Sequence, residues 1–248
     1  MTPSATAPIG PGVLLTRSEE DCAEWALRLE QRGARPVSLP CIHCDIVDTP
    51  DLRAALAATV PGADWLAFTS RRGVEAFATL HAPPLDRGKV AVVGSATAAA
   101  ARQRLGRVDL VGRGGTAASL AATLVADGDL TRQPRVLIAV AANAGDELER
   151  TLRAAGARCT RFDVYRTVPA PPAATKRAMS SLDADNVLFA SPTAVTGFVQ
   201  QVAIDVPVNV YTIGPSTTTA ARAHGLNVTA EAREPSLEGI LEAMQWRN

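Results

Sequence analysis

The chain has 248 residues, 47% of them hydrophobic, enough for one large α/β domain or two smaller ones around a packed core. Aromatic residues make up only 4%, so that core is aliphatic and rich in alanine. The 25 Lys and Arg balance the 25 Asp and Glu, and a formal net charge of +0 argues against a bulk electrostatic grip on nucleic acid or on a membrane surface. No apolar run approaches the length of a bilayer-spanning helix. Residues 1–12 lack the charged start and apolar centre of a signal peptide. A soluble, cytoplasmic protein with a floppy tail punctuated by Pro3, Pro8 and Pro11 is therefore expected. Cys22, Cys41, Cys44 and Cys159 do not make a disulfide framework in a chain this long.

Val13-Leu14-Leu15-Thr16 predicts a first strand, with Arg17-Ser18 at its carboxyl end. Glu19, Glu20 and Asp21 then suit the positive start of a helix whose apolar stripe is Cys22, Trp25, Ala26 and Leu29, closed by Gly33. Val37-Ser38-Leu39 is a second strand, and residues 41–47 are extended without fitting a core strand. A helix over 51–58 precedes a buried strand over 64–68, which ends in Thr69-Ser70-Arg71-Arg72-Gly73 and a helix carrying Val74, Phe77 and Leu80. A strand over 89–93, the turn Gly94-Ser95-Ala96-Thr97 and a helix over 98–105 follow. A short strand over 108–111 leads through Gly112-Arg113-Gly114-Gly115-Thr116 to another helix, and a strand over 135–140 to a helix over 146–155 that Gly156 closes. Residues 159–167 are again extended; after Ala170-Pro171-Pro172 a helix is expected over 176–181. Asn186 to Ala190 reads as a buried strand, Ser191-Pro192 as an N-cap with proline in the first helical position, and Val195, Phe198, Val199 and Val202 as the stripe of the helix. The pattern restarts with a strand over 208–213, Gly214-Pro215-Ser216-Thr217 and an alanine-rich helix ending near Gly225. Residues 229–233 read as a last loop and 236–244 as the final helix.

The chain repeats itself. Asp64 to Ser70 aligns with Asp185 to Ser191 at an offset of 121 residues, and Val74 and Phe77 match Val195 and Phe198 at the same offset. Val93-Gly94-Ser95-Ala96-Thr97 matches Ile213-Gly214-Pro215-Ser216-Thr217 at an offset of 120, and Gly33-Ala34-Arg35 matches Gly156-Ala157-Arg158 at 123. Two copies of one alternating strand–helix layout imply parallel sheets with right-handed crossovers. Ligands of such sheets sit beyond the carboxyl ends of the strands, where unpaired N–H groups and the helix dipole favour anions. Any one of these turns also serves as an ordinary strand–helix connection. As a matched set, facing one cleft, they favour binding of an anion.

The Phe68-Thr69-Ser70 turn with Gly73-Val74, the Val164-Tyr165-Arg166-Thr167 segment, the Phe189-Ala190-Ser191-Pro192 turn and Ile213-Gly214-Pro215-Ser216-Thr217 together resemble the uroporphyrinogen-III synthase family, over Val13 to Met244. The resemblance implies two similar α/β domains, each a parallel β-sheet flanked by helices, joined by a two-stranded linker. The first domain would hold residues 1–40 and 169–248, the inserted second domain 48–163, and the linker strands 41–47 and 164–168. It implies a cyclising lyase that converts hydroxymethylbilane, a linear tetrapyrrole, to uroporphyrinogen III with one ring inverted, in heme biosynthesis. No cofactor and no metal are implied. It implies a monomer without nucleic-acid or membrane partners, and leaves open a transient hand-over from hydroxymethylbilane synthase. By family match Ser70, Thr97, Ser191 and Thr217 are candidate substrate contacts, and Tyr165 is the candidate catalytic acid that helps the substrate hydroxyl leave as water. Ala190 stands where the other copy has Thr69, so the two turns are not equivalent donors.

Each candidate has a plainer reading. Tyr165 also suits a strand residue packing at a hinge. Arg17, Arg71, Arg72 and Arg113 lie at strand ends facing the expected cleft; ordinary surface solvation accounts for any one of them, and Arg17 is the preferred carboxylate partner. Cys41-Ile42-His43-Cys44 has the spacing of half a zinc or redox site, without a second ligand pair. His81 and His224 read as helix-end residues. Gly112-Arg113-Gly114-Gly115 lacks both the position and the acidic partner of a dinucleotide loop. The rival function is a non-catalytic two-lobed binding or regulatory protein for an anionic small molecule.

Overall fold

The computed structural model describes residues 10–81, 85, 87–128, 130 and 132–245. Of the tail expected over residues 1–12, residues 1–9 lie outside them. In chain order the elements are β1 (Gly12–Leu15), α1 (Glu19–Glu30), β2 (Arg35–Ser38), β3 (Ile42–Ile46), α2 (Pro50–Thr59), β4 (Trp65–Phe68), α3 (Arg71–Leu80), β5 (Lys89–Val92), α4 (Ser95–Leu105), β6 (Leu110–Val111), α5 (Ala117–Asp127), β7 (Arg135–Ala141) and α6 (Glu147–Ala154). There follow β8 (Arg158–Pro169), β9 (Arg177–Ala178), β10 (Asn186–Phe189), α7 (Pro192–Gln201), β11 (Val202–Ala203), β12 (Asn209–Thr212), α8 (Pro215–Ala223), β13 (Val228–Glu231) and α9 (Leu237–Ala243). Among the described residues no helix is long and apolar enough to cross a membrane.

Two compact units divide the chain, one of Met1–His43 with Val168–Asn248 and one of Cys44–Thr167. The first unit's sheet has the order β13-β12-β10-β1-β2, all parallel. The second has β3-β8-β7-β4-β5-β6, parallel from β8 to β6. The orders correspond strand for strand: β10 with β4, β12 with β5, β13 with β6, β1 with β7 and β2 with β8. One sequence layout has thus been built twice, entered at a different strand each time.

Side-chain alternation along the buried strands explains why each sheet needs helices on both faces. In the second unit Leu66 and Phe68 of β4 pack with Phe77 of α3 and Leu105 of α4, while Ala67, with Ile138 of β7, faces Leu120 and Leu124 of α5 and Leu152 of α6. In the first unit Val187 and Phe189 of β10 meet Val195 and Phe198 of α7, and Leu188 faces Trp25 and Leu29 of α1 and Ile240 of α9. The same edge-to-face aromatic pair anchors both copies. Phe68 and Phe77 have centroids 5.3 Å apart at 74°, and Phe189 and Phe198 5.2 Å apart at 75°.

Two expected elements are corrected. The helix expected over 176–181 is the two-residue strand β9, paired with β11, followed by one tight 3₁₀ turn over Met179–Ser181. Asp205 holds that turn by accepting from the backbone N–H of Ser180 at 2.9 Å and from its hydroxyl at 2.5 Å. A six-residue polar-ended segment is too short to nucleate a helix against that competition. The loop expected over 229–233 overlaps β13, which completes the edge of the sheet through pairing with β12 and so has exposed, polar alternate positions.

The thiols are packing groups. Cys22 donates weakly to the Leu15 and Arg17 carbonyls, and Cys41 to that of Leu39. Burial pushes the Cys22 thiol up to about 11 and raises that of Cys41 further still. A thiol that holds its proton longer when folded stabilises the fold below its unfolded pKa, about 8.5, and loses that contribution as pH rises through its folded value. Stability is therefore expected to fall between about pH 9 and 11, more steeply in the parent than in Cys22→Ala; equal slopes in denaturant melts across this range would contradict the assignment. A second expectation concerns α7. A Cβ at Gly197 would run into the Cys41 backbone carbonyl, so Gly197→Ala should cost about 1–3 kcal/mol in denaturant unfolding. Gly145→Ala, where a Cβ meets nothing within 4 Å, should stay within about 0.5 kcal/mol.

Candidate functional site

In each sheet the strand order reverses direction once, between β1 and β10 in the first unit and between β4 and β7 in the second. The carboxyl ends flanking such a reversal are where an open α/β sheet leaves a crevice. Arg17 and Ser191 follow β1 and β10; Ser70 follows β4, with the end of β7 beside it. The sequence-level candidates thus fall at the switch point of each sheet, and Thr97 and Thr217 follow the next strand outward.

The second unit brings two candidates into contact. Ser70 caps α3, its Oγ accepting the Gly73 N–H at 2.9 Å. The same Oγ lies 3.0 Å from the Tyr165 hydroxyl. Tyr165 reaches it from β8, on the far side of β7, with its ring packed in the core and only 9% of the residue exposed. A register shift between Val140 and Ala141 sets Ala141 opposite Tyr165, and the Ala142 N–H donates to the Tyr165 carbonyl at 2.8 Å. Arg161, earlier on the same strand, was not singled out from the sequence. Its guanidinium donates to Asp163 at 2.8 Å and to the carbonyls of Ala141, Ala142 and Gly145 at 3.1–3.4 Å, so it braces the loop after β7. A cavity of about 150 Å³ opens there, lined by Thr69, Ile138, Val140, Leu148 and Arg161 among others.

The turns use two different solutions for the unpaired first-turn N–H groups. Ser191 repeats the Ser70 cap, accepting from the Ala194 N–H at 3.1 Å, and Thr116 and Ser236 cap α5 and α9 at 3.1 and 3.0 Å. At α4 and α8 the cap position is a glycine, Gly94 or Gly214, with no side-chain cap. Both glycines have extended backbone, and a Cβ at Gly214 would meet nothing within 4 Å. These two helix starts therefore keep their positive ends open to a ligand. Thr97 and Thr217 sit in the third helical position and are buried, 5% and 1% exposed; the hydroxyls exposed at these starts are Ser95 and Ser216. Beside α8, Thr218 donates to the Glu231 carboxylate at 2.5 Å, and Thr212 donates to Thr218 at 2.6 Å. Sequence spacing gives no sign of this chain, because its three residues come from β12, α8 and β13.

The arginines divide. Arg17 is held at 3.1 Å from Asp21 and stacks 4.4 Å from the centre of the Trp25 ring, which fixes a half-buried guanidinium at the end of β1. Arg71 lies 3.9 Å from Glu75 on its own helix. Arg113 is corrected: it does not face the carboxyl ends but pairs at 2.7 Å with Asp127, the last residue of α5, and lines a cleft with Trp65 and Lys89 at the starts of β4 and β5. Its long side chain follows the negative helix end. Among the described residues no three His, Cys, Asp or Glu converge as a metal site, and the Cys44 thiol meets the Thr167 hydroxyl at 3.7 Å.

The family described as "Uroporphyrinogen-III synthase HemD" matches residues 23–242. "Porphyrin biosynthesis protein HemD" of Ruminiclostridium josui is 26% identical over 247 residues, which are 95% of this chain and 48% of that one; the chain spans about half of that relative's length. The chloroplastic uroporphyrinogen-III synthase of Oryza sativa subsp. japonica is 26% identical over 249 residues, 97% of this chain and 82% of the relative. The solved uroporphyrinogen-III synthetase of Helicobacter pylori 26695 has a TM-score of 0.61 at 16% identity, covering 96% of this chain and 100% of that one. A mutant uroporphyrinogen III synthase of Thermus thermophilus reaches 0.51 at 18%, with 95% and 98% covered. At these identities the two structures speak for the fold.

Proposed function

Because the chain belongs to the uroporphyrinogen-III synthase family, we propose that it cyclises the linear tetrapyrrole hydroxymethylbilane to uroporphyrinogen III in heme biosynthesis. The observation that carries the reading is the phenol of Tyr165, held at a sheet switch point 3.0 Å from the Ser70 hydroxyl. In this reading Tyr165 protonates the terminal hydroxyl of the bilane. The C–O bond breaks, water leaves, and a methylene pyrrole cation remains. The far ring attacks it through its substituted carbon, giving a spiro intermediate. That ring breaks away and rejoins inverted, and the proton lost as the pyrrole regains aromaticity returns to the phenolate. The pyrroles supply the bond-making, and the protein's share is orientation and one proton.

The substrate carries many carboxylates, which suit backbone donors better than buried ion pairs because a neutral donor brings no charge to desolvate. The uncapped starts of α4 and α8 support that assignment, with Ser95 and Ser216 exposed beside them and Thr97 and Thr217 buried behind. Ser191 contributes at α7, and Arg17, oriented by Asp21 and Trp25, takes one carboxylate at the end of β1. The chain works as a monomer and receives the unstable bilane transiently from hydroxymethylbilane synthase.

Incubation with hydroxymethylbilane and separation of the uroporphyrinogen isomers tests the reading. The inverted isomer III should dominate; only the non-inverted isomer, with tight tetrapyrrole binding, would point instead to a non-catalytic binding protein. Tyr165→Phe should lower kcat roughly tenfold to a hundredfold, at or below the lower end of what one positioned donor supplies, and cost no more than about 1 kcal/mol of stability. Full turnover in that variant would remove the phenol from the mechanism.

A further inference from the structure

We propose that Glu231 is a further substrate contact: its carboxylate, oriented by Thr212 and Thr218, accepts hydrogen bonds from pyrrole N–H groups of the linear tetrapyrrole. This rests on the functional reading above and extends it, since that reading provides for the carboxylates of the substrate and not for its ring nitrogens. Each pyrrole ring brings one N–H donor, and a donor drawn out of water needs an acceptor. Glu231 ends β13 on the carboxyl side of the first unit's sheet, opposite Thr212 at the end of β12, and it is exposed. From Thr212 the chain passes directly into the Gly214 turn and the uncapped start of α8. The Thr218 hydroxyl donates to Glu231 Oε2 at 2.5 Å. That commits the single proton of Thr218, so the 2.6 Å contact between the two threonines takes its proton from Thr212. Both threonines are buried, and their hydroxyls point one way, toward one exposed carboxylate. Each bond strengthens the next, and the carboxylate is fixed before a ligand arrives. An ionised carboxylate has about four lone-pair sites, so the bond from Thr218 leaves room for ring nitrogens.

The duplication supplies an internal control. In the second unit Val92 stands opposite Val111 in the register that pairs Thr212 with Glu231, and Ala98 holds the place of Thr218, all at an offset of 120. The fold closes this corner of the other copy with three apolar side chains, so the layout does not demand the polar trio. Nor does stability account for it. Burying the threonine hydroxyls costs desolvation that their hydrogen bonds roughly offset, which leaves little gain over the apolar counterpart. A carboxylate that only balanced the positive start of α8 would need no buried hydroxyls behind it. At a rim that gathers carboxylates a further negative charge repels the ligand unless a donor meets it there, and the pyrrole nitrogens are the donors that the substrate carries.

The test is isomer-resolved turnover of hydroxymethylbilane by the whole chain, its Glu231→Ala, Glu231→Gln and Thr218→Ala variants, and a triple variant with Thr212→Val, Thr218→Ala and Glu231→Val. Inhibition by uroporphyrinogen III under anaerobic conditions and denaturant unfolding are measured for each. Glu231→Ala should raise KM and the inhibition constant about tenfold with kcat within about twofold, as loss of a contact made equally in the ground and transition states does. Glu231→Gln keeps an acceptor oxygen without the charge and should lose about threefold. Thr218→Ala should also raise KM about threefold, by loosening the carboxylate. The triple variant should unfold cooperatively and raise KM no more than about twofold beyond Glu231→Ala, because the hydroxyls act through the carboxylate. The proposal is overturned if Glu231→Ala keeps the parent KM and shifts only the unfolding midpoint, if it lowers kcat at unchanged KM, or if Glu231→Gln lowers KM, which would make the charge a mere repulsion of the substrate's carboxylates. Where Glu231→Ala fails to fold, a parent KM in the triple variant is decisive against it. A parent protein that forms only the non-inverted isomer overturns the functional reading, and this inference with it; isomer III from the parent with any of the former results overturns this inference alone.

Discussion

Everything in these two units follows from what happens to the backbone where a parallel strand ends and a helix begins. The first N–H groups of a helix have no partner within it, and at the carboxyl end of a buried strand they converge on one side of the sheet. Each start must be closed by a side chain or left for something else. This chain does both: Ser70, Thr116, Ser191 and Ser236 close α3, α5, α7 and α9, while glycine leaves α4 and α8 uncapped. Because the choice is made identically at α3 and α7, and again at α4 and α8, it belongs to the layout that was duplicated.

The two copies agree in their cores and differ at their rims. The Phe68–Phe77 and Phe189–Phe198 pairs are nearly superimposable in geometry, as packing around a shared strand order requires. The carboxyl ends diverge: Thr69 stands against Ala190 and Gly73 against Ala194. The hydroxyl chain from Thr212 through Thr218 to Glu231 exists in the first unit, whereas the positions 120 residues earlier are Val92, Ala98 and Val111. Most of these positions are buried, Gly73, Ala194, Thr212 and Thr218 among them, so each exchange changes packing and polarity together within one copy.

The strands were legible wherever they are buried on both faces, as in Val13-Leu14-Leu15 and Trp65-Leu66-Ala67-Phe68, because a continuous apolar run between turn residues has few other uses. Helix ends were legible where glycine sits in the left-handed region, as Gly33, Gly156 and Gly225 do. The edge strand β13 was not, since one of its sides faces solvent and its residues alternate with polar ones. Residues 176–181 misled because local propensity suggested a helix and Asp205, distant in sequence, decided otherwise. At the site, residue types and strand ends pointed to Ser70, Tyr165 and the glycine turns. The contact between Ser70 and Tyr165, 95 residues apart, depends on a bulge in β7–β8 pairing, and the role of Arg161 depends on backbone carbonyls. Neither leaves a pattern along the chain. Arg113 shows the converse, a residue at the right strand end whose side chain is drawn to Asp127.

The central claim is that uncharged donors at the carboxyl ends of the duplicated sheets hold a polyacid in a shape that decides which carbon reacts. It is tested most directly by a crystal structure of the full chain with a tetrapyrrole product bound. The account predicts carboxylates on the first-turn N–H groups of α4, with the ring system within reach of Tyr165. A tetrapyrrole seated on an outer helical face, away from Ser70, Ser191 and Tyr165, would contradict it.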